Sequence, residues 1–245
     1  MYLSQPCMPE GLAEIFSEDS PLPYIAARSE VCCQGRPATH VFLLEAGVVA
    51  LTFTGQDGRE FIVDFCGPGT ILGAAAAMLE KCWPVSVVTC QRCRVRMLPS
   101  TLFVEKLRKE TGALAWHMLI THSHEAYRHI ERMASLALLN TRQRVEEFFW
   151  KLAVDSPGPD GKVRMPLSQE ELARYVQTTR QHLNKVLREI EDDGLIRRAS
   201  GCYFVDRSRL WHQSGSEATA SRQRNVTFCH ADDRLAESVR RSELP

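Results

Sequence analysis

The sequence predicts an α+β chain with a β-roll toward the N-terminus, one long helix, and a winged helix-turn-helix toward the C-terminus. Three observations predict it. Short apolar runs separated by Gly and Asp turns fill residues 31–98. From Thr111 to Leu138 no Gly or Pro follows Gly112. Two short helical patterns, LSQEELARYV and TTRQHLNKVLREIEDDGLI, then stand back to back ahead of a hairpin signal. The implied divisions are an N-terminal segment at 1–20, the roll at 21–110, the long helix at 111–139, the winged helix-turn-helix at 140–212 and a tail at 213–245.

At 245 residues the chain suits one or two domains with substantial cores. Thirty basic and thirty acidic residues give a formal net charge of zero, which excludes a uniformly basic coat but not a local basic surface. No apolar run approaches the roughly 20 residues of a membrane helix, and MYLSQPCMPE lacks the pattern of a signal peptide. A cytoplasmic protein with no membrane partner is therefore expected. The nine cysteines are an odd number, read in a reducing compartment as free thiols or at most a metal or redox site.

In the roll, VFLLEAGVVALTF, the turn GQDGRE and FIVDF form a hairpin signal, followed by VSVVTCQRCRVRML. In the long helix, Leu119, His122, Ala126, His129, Met133 and Leu136 recur at alternating spacings of three and four, the spacing of a dimer seam. A second stripe, Trp116, Ile120, Tyr127, Ile130 and Ala134, is expected to face its own domain. If His122 and His129 met their symmetry mates, repulsion between imidazolium ions would depress their pKa, and falling pH would weaken the pair.

Asn140 is placed to cap TRQRVEEFFWKLA, and SPGPDGK ends that helix. Ser168 followed by Glu171 is a capping box. Thr178 or Thr179 caps the next helix, whose Leu183, Val186, Leu187 and Ile190 form one apolar face. Arg180, Gln181, Asn184, Lys185 and Arg188 lie opposite, and such side chains read base edges or neutralise phosphates. IRRASGCYFVD then reads as a two-stranded wing, with Arg197, Arg198, Ser200 and Gly201 at its turn. Beyond Ser214 the composition turns polar, and this tail is expected to be disordered.

The order roll, long helix, winged helix-turn-helix resembles the Crp/Fnr family of bacterial transcription regulators over Pro21 to Leu210, most closely in TTRQHLNKVLREIEDDGLIRR. The resemblance implies a cyclic-nucleotide-binding-like roll, a homodimer on palindromic double-stranded DNA, and contact with RNA polymerase. It also implies base contacts from residues placed like Arg180, Gln181 and Lys185. Gln181 stands where the family often has glutamate, so the base opposite it is left open.

Cyclic-nucleotide binders of the family carry Gly-Glu-Leu-Gly and then Arg-Ser. Here the first element aligns with Thr70-Ile71-Leu72-Gly73, and the second with Trp83-Pro84. Ile, Trp and Pro hold neither a ribose nor an anionic phosphate, so binding of cyclic AMP or cyclic GMP in the family's manner is not expected. A pocket lined by Ile71, Leu72, Gly73, Ala74 to Met78 and Trp83 is either filled by its own side chains or suited to an apolar ligand or haem. An iron–sulfur cluster is not expected, because only Cys7 lies near the N-terminus, far from Cys32 and Cys33. Cys90-Gln91-Arg92-Cys93 lacks the second CxxC that a zinc site needs. The effector and any metal stay unassigned. The alternatives are a haem- or metal-linked sensor regulator, or a sensor of the same fold that does not bind DNA. Hydrolase, zincin and phosphate-loop motifs are absent, which argues against an enzyme.

Overall fold

A computed structural model describes residues 15–16, 22–109, 113–155, 162–163, 165, 167–199, 202–206 and 210. The tail at 213–245, the wing turn Ser200-Gly201 and Cys7 lie outside the described residues. Eight strands build the roll: β1 (Tyr24–Ile25), β2 (Glu30–Cys32), β3 (His40–Ala46), β4 (Val49–Thr54), β5 (Glu60–Cys66), β6 (Ile71–Leu72), β7 (Ser86–Thr89) and β8 (Cys93–Pro99). They pair antiparallel in two four-stranded sheets, ordered β1-β8-β3-β6 and β2-β7-β4-β5. The β4–β5 hairpin turns at GQDGR as the sequence predicts. Gly58 takes φ 77°, and Asp57 accepts the backbone N–H of Arg59 at 3.1 Å.

Two short helices escape the sequence reading: α1 (Ala74–Met78) after β6, and α2 (Ser100–Lys109) after β8. Helix α3 runs Ala113–Leu138, and α4 runs Thr141–Asp155. Asn140 caps α4 reciprocally, its side chain accepting from Gln143 N–H and Gln143 accepting from Asn140 N–H, each at 3.0 Å. The C-terminal unit adds β9 (Lys162–Val163), α5 (Gln169–Tyr175), α6 (Arg180–Asp192), β10 (Ile196–Ala199) and β11 (Cys202–Val205).

The wing departs from the two-stranded expectation, because β9 joins the far side of β11 to make a sheet ordered β10-β11-β9. The short apolar signal around Val163 is hard to see after SPGPDGK, yet Val163 is 1% exposed. Val145, Phe148, Phe149 and Leu152 of α4 pack against Leu172, Leu183, Ile190 and Tyr203. The same core continues into Val48, Ala50, Ile62 and Phe65 of the roll. The roll and the helix-turn-helix thus share buried apolar surface, with the Phe65 and Tyr175 rings 5.2 Å apart. Among the described residues no helix is long and apolar enough to cross a membrane.

Candidate nucleic-acid interface

Helix α5 begins where its sequence specifies. The Ser168 hydroxyl accepts Glu171 N–H at 3.2 Å, and the Glu171 carboxylate accepts Ser168 N–H at 2.6 Å. The turn passes through Gln177 at φ 53°, a left-handed conformation that tight turns demand. Of the two candidate caps, Thr179 takes the role, its hydroxyl accepting His182 N–H at 3.2 Å from an extended backbone at ψ 152°.

Burying Leu183, Val186, Leu187 and Ile190 turns the opposite face of α6 outward. Thr179, Arg180, Gln181, Lys185 and Arg188 are exposed, and Thr178 and Asn184 are half-buried. Lys185 is within 3.9 Å of Glu189, a loose exposed pair that leaves its ammonium accessible. In the wing, Arg197 and Arg198 are both exposed, with the Arg197 guanidinium stacked 4.4 Å from the Phe204 ring centre.

Three residues that the sequence reading passed over extend or support this surface. His182 is exposed in the first turn of α6, beside Gln181. Arg132 of α3 donates to the Tyr175 carbonyl and stacks 3.8 Å from the Tyr175 ring centre. Arg144 of α4 donates to the Val176 carbonyl at 2.9 Å and to the Leu139 carbonyl at 2.5 Å. Two guanidiniums from outside the motif therefore hold the carbonyl end of α5, where unpaired C=O groups favour cations. Their spacing in the sequence carries no signal of this, since the contacts close only in three dimensions.

The long helix requires a correction. Trp116, Tyr127 and Ile130, expected to face the chain's own domain, are 64%, 69% and 59% exposed. With Leu119 at 57% and Met133 at 63%, they make one outward apolar face that Ala126 also joins. His129 is exposed, whereas His122 and Leu136 are half-buried. The inward face is mixed: Met118 is buried among Ile15, Phe16, Val41 and Phe103, and polar groups follow it. Arg128 lies 3.5 Å from Asp64, Arg132 is buried, and Ser135 donates to Glu147 at 2.5 Å. Apolar spacing could not rank the two stripes, because from Arg128 to Ser135 the roll and the helix-turn-helix meet this helix with carboxylates and carbonyls rather than methyl groups.

His122 has a partner on its own helix. Its Nδ1 lies 2.9 Å from the Glu125 carboxylate, and this hydrogen bond raises the imidazole pKa above its ordinary 6.5, although burial opposes the shift. A raised pKa means that the pair's stabilisation is fully present below about pH 6.5 and is lost as pH rises through the raised value. Between pH 6 and pH 8, His122→Gln is expected to lose less thermal stability than the wild type. Equal losses in parallel melts would remove His122 from the account.

The roll's inner core is filled. Gly73 caps α1 at φ 87°, and a Cβ there would meet the Trp83 ring at 2.5 Å. Trp83 is 6% exposed, its ring 6.2 Å from that of Phe42, among Leu44, Val49, Leu72, Val87 and Val95. Ile71 is half-buried at its edge. Cys32, Cys33, Cys66, Cys82, Cys90 and Cys93 are free thiols. Burial pushes Cys66 and Cys32 up to about 12, and raises Cys90 further, so these groups are protonated and poor nucleophiles. Among the described residues no three His, Cys, Asp or Glu side chains converge on a metal site.

Two family matches cover this architecture in order, a Cyclic nucleotide-binding domain over residues 23–110 and a Crp-like helix-turn-helix domain over residues 143–212. The chain belongs to the Crp/Fnr family. Its members are DNA-binding transcription regulators, not enzymes. Among curated Crp/Fnr relatives, the CRP-like protein Clp of Xanthomonas euvesicatoria pv. vesicatoria is 23% identical over 194 residues, covering 76% of this chain and 84% of Clp. Among solved structures, FixK2 from Bradyrhizobium japonicum superposes with a TM-score of 0.69 at 19% identity, covering 79% of this chain and 96% of that one. Clp from Xanthomonas campestris, described as a c-di-GMP-responsive global regulator, gives 0.66 at 20% identity, covering 80% and 99%. At these identities the superpositions speak for the Crp/Fnr fold and not for a shared ligand.

Proposed function

We propose that two copies pair along the outward apolar face of α3 and present their α6 helices to successive major grooves, about 34 Å apart, of a two-fold symmetric site. The observation that carries this reading is an inside-out helix. Its exposed large side chains from Trp116 to Met133 are apolar while Arg128, Arg132 and Ser135 turn toward the chain, which suits an isologous partner. Thr178, Thr179, Arg180, Gln181, Asn184, Lys185 and Arg188 then contact bases and phosphates, and Arg197 and Arg198 of the wing reach the flanking backbone. The signal acts elsewhere than through a cyclic nucleotide in the roll's core, because Trp83 already fills that space.

Arg180→Ala is expected to weaken operator binding by about 1–3 kcal/mol and relax preference at one base position per half-site. Fluorescence anisotropy on a set of singly substituted operators reads both effects. Uniform weakening across all sequences would make Arg180 a phosphate contact instead. In the same assay, millimolar cyclic AMP or cyclic GMP is expected to leave operator affinity unchanged. A nucleotide-dependent shift would count against the filled core.

A further inference from the structure

The recognition helix is tied to the long helix by a junction that the helix-turn-helix motif does not itself supply. Helix α3 ends at Leu138 and α4 begins at Thr141, with Leu139 and Asn140 between them. Helix α5 ends at Tyr175, and the chain turns through Val176 and Gln177 before α6 begins at Arg180. The end of a helix leaves its last carbonyls without helical partners. Those of Tyr175 and Val176 are taken by guanidiniums from two different helices.

Arg132 of α3 takes the Tyr175 carbonyl and stacks on the Tyr175 ring. Arg144 of α4 donates through Nε to the Val176 carbonyl at 2.9 Å. Its Nη1 reaches back to the Leu139 carbonyl at 2.5 Å, and its Nη2 to the Thr141 hydroxyl at 3.4 Å. One side chain therefore ties the α3–α4 link to the turn that leads into α6. Holding these groups together is costly. Burial and then the neighbouring Arg132 lower the Arg144 pKa, since two like charges share the junction. The Tyr175 ring is fixed in turn by Phe65 of the roll, 5.2 Å away, and by Phe148 of α4, 5.8 Å away.

We propose that Arg144, with Arg132 beside it, is a positioning residue for DNA binding, fixing the angle between α3 and α6 and so the separation of the two recognition helices. This rests on the pairing of two copies along α3. A guanidinium suits the task, because its planar fork holds two carbonyls in fixed directions at once. Binding two half-sites together depends on how well their spacing matches that of the two helices. Loosening the junction therefore costs affinity for a complete site and not for half of one.

A two-fold symmetric duplex selected by the wild-type chain from a randomised library supplies the probe. Fluorescence anisotropy compares it with duplexes one base pair longer or shorter at the centre, and with a single half-site. Arg144→Gln is expected to weaken binding to the complete site about tenfold and to the half-site less than about twofold. Its preference for the original spacing over the altered ones should shrink by a similar factor. Arg144→Lys, which keeps the charge without the fork, should fall between Arg144→Gln and the wild type. Circular dichroism melts verify folding, and Arg144→Lys carries the test if Arg144→Gln does not fold. Equal weakening on the complete site and the half-site, or a spacing preference unchanged by the substitutions, overturns the proposal. A wild-type chain that binds the complete site no better than the half-site overturns the pairing reading, and this inference with it, so the two failures are distinguishable.

Discussion

Trp83→Ala is expected to lower folding stability by about 3–5 kcal/mol, the range for removing a large aromatic from a core that cannot fully collapse. Collapse is restricted here on both sides. Gly73 offers no side chain to move inward, and Leu44, Leu72, Val87 and Val95 belong to sheet strands whose pairing fixes their positions. The remaining void is apolar, and such voids stay dry and accept small aromatic molecules. Indole should therefore restore part of the lost stability to Trp83→Ala and none to the wild type. Denaturant titrations with and without indole measure this. A small loss that indole does not alter would mean that the core has room for a ligand beside Trp83.

Ile130→Asp is expected to abolish pairing. Ile130 is 59% exposed in the single chain, so the substitution removes little that its own fold uses. In the proposed pair, each copy forfeits roughly 1.5–3 kcal/mol of side-chain burial. It also places a carboxylate near its symmetry mate, where desolvation and repulsion add to the cost. Sedimentation equilibrium should show a monomer whose secondary structure is intact by circular dichroism. Operator affinity should fall with it, since one recognition helix then binds without the other. A dimer that survives the substitution would move the interface off α3.

The helix-turn-helix was legible in the sequence because its signals are local. The Ser168–Glu171 box, the Thr179 cap and the apolar spacing of Leu183, Val186, Leu187 and Ile190 each operate within a turn or two of chain. The outward set from Arg180 to Arg188 follows from that spacing alone. The β4–β5 hairpin was legible for the same reason, its Gly and Asp residues meeting the needs of one tight turn. Strand β9 was not, because two residues gain strand geometry only from the ladder that β11 offers them.

The sequence by itself determined the β4–β5 hairpin, the long helix and the helix-turn-helix, though not α1, α2 or β9, and it determined which side of α6 remains uncovered. Only the tertiary structure decided which side of α3 is covered, because both stripes are apolar and the choice depends on what packs against them. Asp64, Glu147 and the Tyr175 carbonyl demand polar partners, so Arg128, Arg132 and Ser135 turn inward and Trp116, Tyr127 and Ile130 are left outside. Likewise, Trp83 fills the roll because Gly73, ten residues earlier in the chain, leaves room for an indole ring. Helical and strand periodicity is a property of neighbouring residues, whereas the partner that satisfies a buried charge or fills a void is brought from elsewhere in the chain by the fold.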